Sequence, residues 1–135
     1  MRKNLWSNLR SLKSQIGDQP CSIGGDFNIV KGPDEKFRGL GSISFEEEFC
    51  HCLRELEVLD HPYIGPLYTW TSRSEDFHYK ARNLDKIPVN PVWFDCFPHI
   101  GVEFLPPGVS DHAASFMFSQ IELNSDPKPF QFFNF

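Results

Sequence analysis

Cys21-Ser22-Ile23-Gly24-Gly25-Asp26-Phe27-Asn28 is the stretch that decides how this chain folds. Residues 20–23 predict a short buried strand, and the two glycines after it indicate a change of direction. Asp26 and Asn28 are two residues apart, so in an extended chain their side chains would point to the same face. Such a pair directly after a strand is also typical of a simple turn. The stretch therefore predicts a strand whose polar end is either a functional site or a turn.

A second polar motif, Ser110-Asp111-His112, directly precedes an apolar run, and a third acid, Asp85, lies between the two motifs. We expect Asp85 to pair with His112, which would raise the pKa of His112 and keep its imidazole cationic near a phosphate. Carboxylate oxygens suit a hard cation such as Mg²⁺. Together these residue types favour metal-assisted phosphodiester hydrolysis. For each motif taken alone, turn formation remains the alternative.

The composition limits the classes of protein to consider. The chain has 135 residues, which predicts a single domain. Its formal net charge of -5 is the wrong sign for a protein that binds nucleic acid by covering phosphates with Lys and Arg. A nuclease that handles phosphate through metal ions does not need such a surface. The charge therefore disfavours a broad nucleic-acid binder more than it disfavours a nuclease.

The cysteines favour a reducing, intracellular compartment. None of the four forms a Cys-x-x-Cys pair, and no apolar leader precedes them. No apolar run approaches the roughly 20 residues that span a membrane, so no membrane partner is expected. The four cysteines are Cys21, Cys50, Cys52 and Cys96.

Two amphipathic helices are predicted. Leucines at helical spacing, followed by a glycine, predict a helix over residues 3–16. A second helix is predicted over residues 45–58, because apolar residues line one face behind Ser44 and Glu47, which are spaced as in a capping box.

Several short strands are predicted, and one of them contains Pro88. Because proline cannot donate to a β-ladder, that strand must lie at an edge or bend there. Helices and strands alternate, which predicts an α/β or α+β fold. The predicted strands are residues 67–71, 84–89, 102–105 and 114–121, with a hairpin loop over 72–80 and a helical turn over 91–97. Three histidines near turns are expected to be solvated: His61, His78 and His99.

The order of the motifs resembles the endonuclease/exonuclease/phosphatase superfamily. The closer resemblance is to the apurinic-type endonuclease domain of plant non-LTR (LINE-type) retrotransposon polyproteins. The separate motifs are weak, but their order and spacing are specific together. The resemblance is carried by Ile23-Gly24-Gly25-Asp26-Phe27-Asn28, Glu35-Lys36, Tyr68-Thr69-Trp70-Thr71, Arg82-Asn83-Leu84-Asp85-Lys86, Val89-Asn90, Trp93, Phe97-Pro98, Leu105-Pro106-Pro107-Gly108 and Ser110-Asp111-His112.

The resemblance implies a Mg²⁺-dependent DNA endonuclease with a DNase I-like fold, a four-layer α/β sandwich of two sheets with helices outside. It implies that Asp26 orients or deprotonates the attacking water and that Asn28 positions this water and contacts the phosphate. His112 would contact the scissile phosphate while Asp85 holds its imidazole. Asp26 and Asp111 would be the metal ligands. DNA would be the partner, and no small-molecule cofactor is implied. The protein would be nuclear if it keeps the function of the retrotransposon.

The resemblance also implies where the domain ends and which residues of the family have no counterpart. Residues 1–123 match the C-terminal half of the endonuclease domain, and residues 124–135 resemble the start of the Phe-rich linker that leads to the reverse transcriptase. In family members a strand with the main metal-ligand Glu, and later a Tyr and an Asn, precede the Gly-Asp-Phe-Asn motif. None of these has a counterpart before Gly25. We therefore expect a domain truncated at its N-terminus, with weak activity or none.

Two other functions stay open. One is a non-catalytic interaction module that uses an exposed sheet edge and the Phe-rich tail at residues 124–135. The other, ranked lower, is a phosphoinositide phosphatase, because no residues that select lipid phosphates are recognisable in the sequence.

Overall fold

The computed structural model describes residues 2–39 and 42–119. These residues form a mixed α/β fold with three α-helices and several small sheets, in agreement with the predicted α+β class. The predicted linker over residues 124–135 lies outside the described residues. The helices are α1 (Arg2–Ile16), α2 (Ile43–Glu55) and α3 (Pro91–Cys96), with 3-10 turns at Pro33–Glu35 and Asp76–His78.

The described part of the chain contains ten short strands, all of which follow α1. They are β1 (Gly25–Asp26), β2 (Lys36–Phe37), β3 (Leu59–Asp60), β4 (Tyr63–Ile64), β5 (Trp70–Thr71), β6 (Ala81–Arg82), β7 (Asp85–Lys86), β8 (Pro88–Val89), β9 (Ile100–Phe104) and β10 (Ser115–Ser119). They pair as β1-β7, β10-β9-β4, β2-β6-β5 and β3-β8. All pairs are antiparallel except β4 with β9.

The two amphipathic helices pack together around an aromatic core, as their sequence spacing predicts. The ring of Phe49 on α2 lies 5.1 Å from that of Trp6 on α1 and 5.3 Å from that of Phe27. Phe27 belongs to the Gly-Asp-Phe-Asn motif, so this core holds the motif in place. Burying such aromatic rings contributes several kcal/mol of stability.

The start of α2 differs from the prediction. The helix begins at Ile43 with Ser42 as its N-cap, and Ser42 makes no side-chain capping hydrogen bond. The capping box predicted from Ser44 and Glu47 is therefore wrong. The backbone N–H groups of Phe45 and the next residue instead bond the carbonyl of Ser42.

The predicted strand over residues 84–89 is divided into β7 and β8, which pair with different strands. The expected interruption at Pro88 is confirmed: it faces Asp60 in the two-stranded sheet, and its carbonyl accepts the Ile23 N–H at 2.9 Å. The loop predicted over residues 72–80 does lead to an antiparallel partner of β5, but that partner is β6 (Ala81–Arg82) and not the predicted strand over residues 84–89. The predicted strand over residues 67–71 is reduced to Trp70–Thr71.

A second core lies beneath β9 and next to the Ser-Asp-His motif. It is formed by Ile87, Val89, Val102, Phe104 and Ala113, all less than 9% exposed. Since Ala113 directly follows His112, this core fixes the backbone at the histidine.

The prediction that His61 is solvated is wrong. Its side chain is 8% exposed, because its ring packs 5.3 Å from that of Phe94 and its Nδ1 lies 2.7 Å from the Pro62 carbonyl. His78 and His99 are exposed, as predicted. Among the described residues, no helix is long and apolar enough to cross a membrane.

Candidate functional site

Two backbone pairings bring Asp26, Asp85 and His112 together. The β1-β7 pair places Asp26 directly opposite Asp85. Trp70 of β5 forms an isolated antiparallel bridge with His112, and the Ala113 N–H bonds the Thr69 carbonyl at 2.7 Å. Residues separated by up to 86 positions in the chain thus share one surface, as the sequence order implied.

His112 lies between the two carboxylates. Its Nδ1 is 2.9 Å from Oδ2 of Asp85, and its Nε2 is 4.0 Å from Oδ2 of Asp26. One ligand atom from each of the three residues lies within 4.8 Å of the others. The exposed fraction of the side chain is 15% for Asp85, 31% for His112 and 40% for Asp26. The cluster is therefore shielded at Asp85 and open to solvent at Asp26.

The pKa of His112 is raised above its usual value. Burial alone would lower it, but the hydrogen bond to Asp85 and the charges of Asp85, Asp26 and Asp111 together outweigh burial. The predicted pairing of Asp85 with His112 is confirmed. In the cationic imidazole both ring nitrogens are donors. Nδ1–H then donates to Asp85, and Nε2–H faces the open side of the cluster near Asp26.

Asp26 forms both a turn and one side of the cluster. Its Oδ1 accepts the backbone N–H of Asn28 at 2.7 Å, and Asn28 has a φ of 51°. The strand therefore ends at Asp26. The sequence predicted that Asp26 and Asn28 share a face if the chain stays extended through Asn28, and the turn shows that it does not. Because the turn uses Oδ1 only, Oδ2 remains directed towards His112. The turn and the site are thus compatible interpretations of the same residues.

Asp111 is hydrogen-bonded to Trp70 and does not belong to the three-residue cluster. Its Oδ2 accepts the indole N–H of Trp70 at 2.9 Å, and this hydrogen bond lowers the pKa of Asp111. Asp111 is not among the residues whose ligand atoms gather within 4.8 Å. Its role as a metal ligand stays a prediction. Arg73 holds the preceding loop by donating from Nη2 to the carbonyls of Gly108 at 2.6 Å and Ser110 at 2.5 Å.

Thr69 is a supporting residue that the sequence analysis did not identify. It is fully buried, and its Oγ1 accepts the backbone N–H groups of Leu84 at 3.0 Å and Asp85 at 2.9 Å. By accepting both hydrogen bonds, Thr69 fixes the backbone at the start of β7, where the Asp85 side chain bonds His112. The only signal in the sequence is a hydroxyl residue inside an aromatic strand, which does not reveal a distant backbone partner.

Lys86 anchors the other side of β7. Its side chain is 1% exposed, and its Nζ donates to Glu35 Oε2 at 2.9 Å and to the Asn83 carbonyl at 3.0 Å. Burial lowers the pKa of Lys86, while Glu35 opposes this effect. Since side chains alternate along a strand, fixing Lys86 inward orients Asp85 outward towards the site.

Asp26 is the more exposed of the two carboxylates in the cluster and the better placed to contact a divalent cation. Mg²⁺ in phosphate enzymes is held by one or two carboxylates together with substrate oxygens and water. Asp26 Oδ2 is an available carboxylate oxygen of this type. Oδ2 of Asp85 is hydrogen-bonded to Nδ1 of His112, and an imidazole that is protonated on both nitrogens cannot coordinate a metal. Cation binding at this cluster therefore stays a prediction, with Asp26 as the open carboxylate beside a histidine whose pKa is raised.

Comparison of the chain with protein-family models and with curated proteins found no match. The resemblance to the endonuclease/exonuclease/phosphatase superfamily therefore stays a prediction from the order of the motifs.

Proposed function

We propose that this chain carries part of a Mg²⁺-dependent DNA phosphodiesterase site, the remnant of a non-LTR retrotransposon endonuclease. In this proposal it forms the C-terminal half of a DNase I-like sandwich. The observation that supports it best is the row Asp85–His112–Asp26, with 2.9 Å on one side of the imidazole and 4.0 Å on the other.

The two sides of His112 suit different tasks. Asp85 fixes the ring and stabilises its positive charge, so Nε2–H can donate to a phosphate oxygen. The 4.0 Å separation from Asp26 is longer than a hydrogen bond. A phosphate oxygen or an attacking water placed near both groups would contact an acid on one side and a carboxylate on the other.

Asp26 is placed to act on the attacking water. Its exposed Oδ2 would orient the attacking water, directly or through a bound cation, while the turn through Asn28 keeps the carboxylate in one orientation. Asn28 is exposed at the same turn, where the proposal assigns it to positioning water and phosphate. Mg²⁺, when bound, would supply positive charge that stabilises the transition state.

We expect the 135-residue chain to be weak or inactive as an enzyme. Oδ2 of Asp85 is hydrogen-bonded to His112, so Asp26 is the more open carboxylate for a cation, and residues 1–25 contain no glutamate. Each tenfold loss of rate corresponds to about 1.4 kcal/mol of lost transition-state stabilisation. The loss of one strong charge can therefore reduce the rate by orders of magnitude.

Nicking of supercoiled plasmid DNA in Mg²⁺ tests this proposal. We expect wild-type chain to nick no faster than Asp26→Ala or His112→Ala. His99→Ala, which changes an exposed histidine outside the cluster, is the matched control. Rapid nicking that is abolished by both cluster substitutions but not by His99→Ala would show that the site is complete and that the inactive part of the proposal is wrong.

A further inference from the structure

β10 is an exposed edge strand with an apolar, uncharged sequence. It lies at the end of the sheet order β10-β9-β4 in the described part of the chain. All five of its residues are exposed, and three of them are large and apolar: Phe116 at 53%, Met117 at 42% and Phe118 at 37%. Exposed apolar edges of this kind mark sites of strand pairing with another chain.

The hydrogen-bonding pattern shows which backbone groups face outward. The Leu105 N–H donates to the Ala114 carbonyl at 2.8 Å, so these two residues form a hydrogen-bonded pair. Such pairs alternate along an antiparallel ladder. The backbone N–H and C=O groups of Phe116 therefore bond to β9. The same groups of Ser115 and Met117 point away from β9 to the open edge. Among the described strands, none lies on that side.

The sequence of β10, Ser115-Phe116-Met117-Phe118-Ser119, reads the same in both directions. If two copies pair antiparallel about a two-fold axis at Met117, Phe116 faces Phe118 of the second copy and Met117 faces its own equivalent. Ser115 faces Ser119 of the second copy. In this register the outward backbone groups of Met117 meet the same groups of the other copy, as a ladder requires.

We propose that this chain forms a two-fold symmetric dimer by antiparallel pairing of its β10 edges, centred on Met117. Phe116 and Phe118 of both copies then lie on one face of a continuous sheet and pack as two cross-strand aromatic pairs. The strand carries no charge that would be placed against its equivalent. This inference is independent of the proposed phosphodiesterase site.

The area of one edge strand is smaller than the roughly 800 Å² per partner of a standard interface. We therefore expect a weak, reversible dimer. Sedimentation velocity of the full 135-residue chain over a wide range of concentrations measures the monomer–dimer equilibrium. Met117→Lys and Met117→Glu, each alone, place like charges opposite one another and should raise the dissociation constant at least about tenfold.

The two charged variants together test the position of the two-fold axis. An equimolar mixture of Met117→Lys and Met117→Glu should regain the dimer, because opposite charges then face each other across the strand pair. Val109→Lys, which adds a charge at a residue 98% exposed in a loop, should dimerise like the wild type. Circular dichroism confirms that each variant is folded.

Several results would overturn the dimer. A wild-type chain that stays monomeric at every concentration would refute the pairing of the β10 edges. Unchanged dimerisation of both charged variants, or no recovery in their mixture, would place the contact elsewhere. Open-ended oligomers would show that the contact is not two-fold.

Discussion

Replacing Thr69 with valine tests whether one buried hydroxyl holds Asp85 at the site. Valine has nearly the same shape as threonine but cannot accept a hydrogen bond. In the wild type, Thr69 Oγ1 accepts the Leu84 N–H at 3.0 Å and the Asp85 N–H at 2.9 Å. Thr69 is fully buried, so no solvent at this side chain replaces the lost acceptor.

The expected change in the free energy of unfolding follows from the loss of those two hydrogen bonds. A buried donor left without a partner costs about 1–3 kcal/mol. Two such donors, partly offset by the added methyl of valine, should lower the free energy of unfolding by about 2–4 kcal/mol. Thr69→Ser is the matched control: it keeps the hydroxyl and loses one methyl, so we expect about 1 kcal/mol.

Urea unfolding followed by circular dichroism measures these changes in the free energy of unfolding. Hydrogen exchange provides a local measurement, because the amides of Leu84 and Asp85 should exchange faster in Thr69→Val than in Thr69→Ser. The reasoning is refuted if Thr69→Val stays within about 0.5 kcal/mol of the wild type, or if serine costs as much as valine.

Three further predictions concern the cluster, the buried lysine and the core. Asp85→Asn should lower the pKa of His112, measured by NMR. The pKa of His112 is raised on folding, so the ion pair stabilises the fold fully below the unfolded pKa of about 6.5 and this stability is lost as the pH rises through the folded pKa. The wild type and Asp85→Asn should therefore converge in stability at alkaline pH, and a constant difference would contradict this. Lys86→Met should cost about 3 kcal/mol in urea unfolding because it removes the nearer and more deeply buried of the two lysines that pair with Glu35, Lys31 Nζ being 3.8 Å away. Adding Glu35→Gln should recover part of this loss, and a double variant whose effects simply add would argue against the pair. Phe49→Ala should cost about 3–5 kcal/mol and Phe49→Leu distinctly less, and a loss below about 1 kcal/mol for alanine would exclude the aromatic core as described.

Local patterns predicted the helices and the two longest described strands, β9 and β10, because their causes are local, whereas five of the described two-residue strands were not predicted and the strand expected over residues 20–23 is only an isolated bridge at Ser22. The leucines of α1 recur at the helical period, and that helix spans Arg2–Ile16 against the predicted 3–16. The expected break at Pro88 follows from its missing N–H. The start of α2 was misjudged because Ser42 and Ser44 are both suitable caps, and tertiary packing of Phe49 rather than cap chemistry sets the position of the helix.

The candidate site could be predicted only in part. The types and order of Asp26, Asp85 and His112 indicated one cluster, and their contacts agree with that expectation. The left-handed turn at Asn28 could not be read from the sequence, because asparagine occupies both turns and extended chain. The support from Thr69 depends on a backbone partner 15 residues away, which no local pattern encodes.

The central claim is that the imidazole of His112, held by Asp85, contacts a phosphodiester. NMR of the histidine ring signals during titration with a short DNA duplex in Mg²⁺ tests it most directly. We predict that the signals of His112 shift saturably and that the shift is largely lost in Asp85→Asn, while the signals of the exposed His99 stay nearly constant. An unchanged His112 at high DNA concentration, or equal shifts at His112 and His99, would contradict the account.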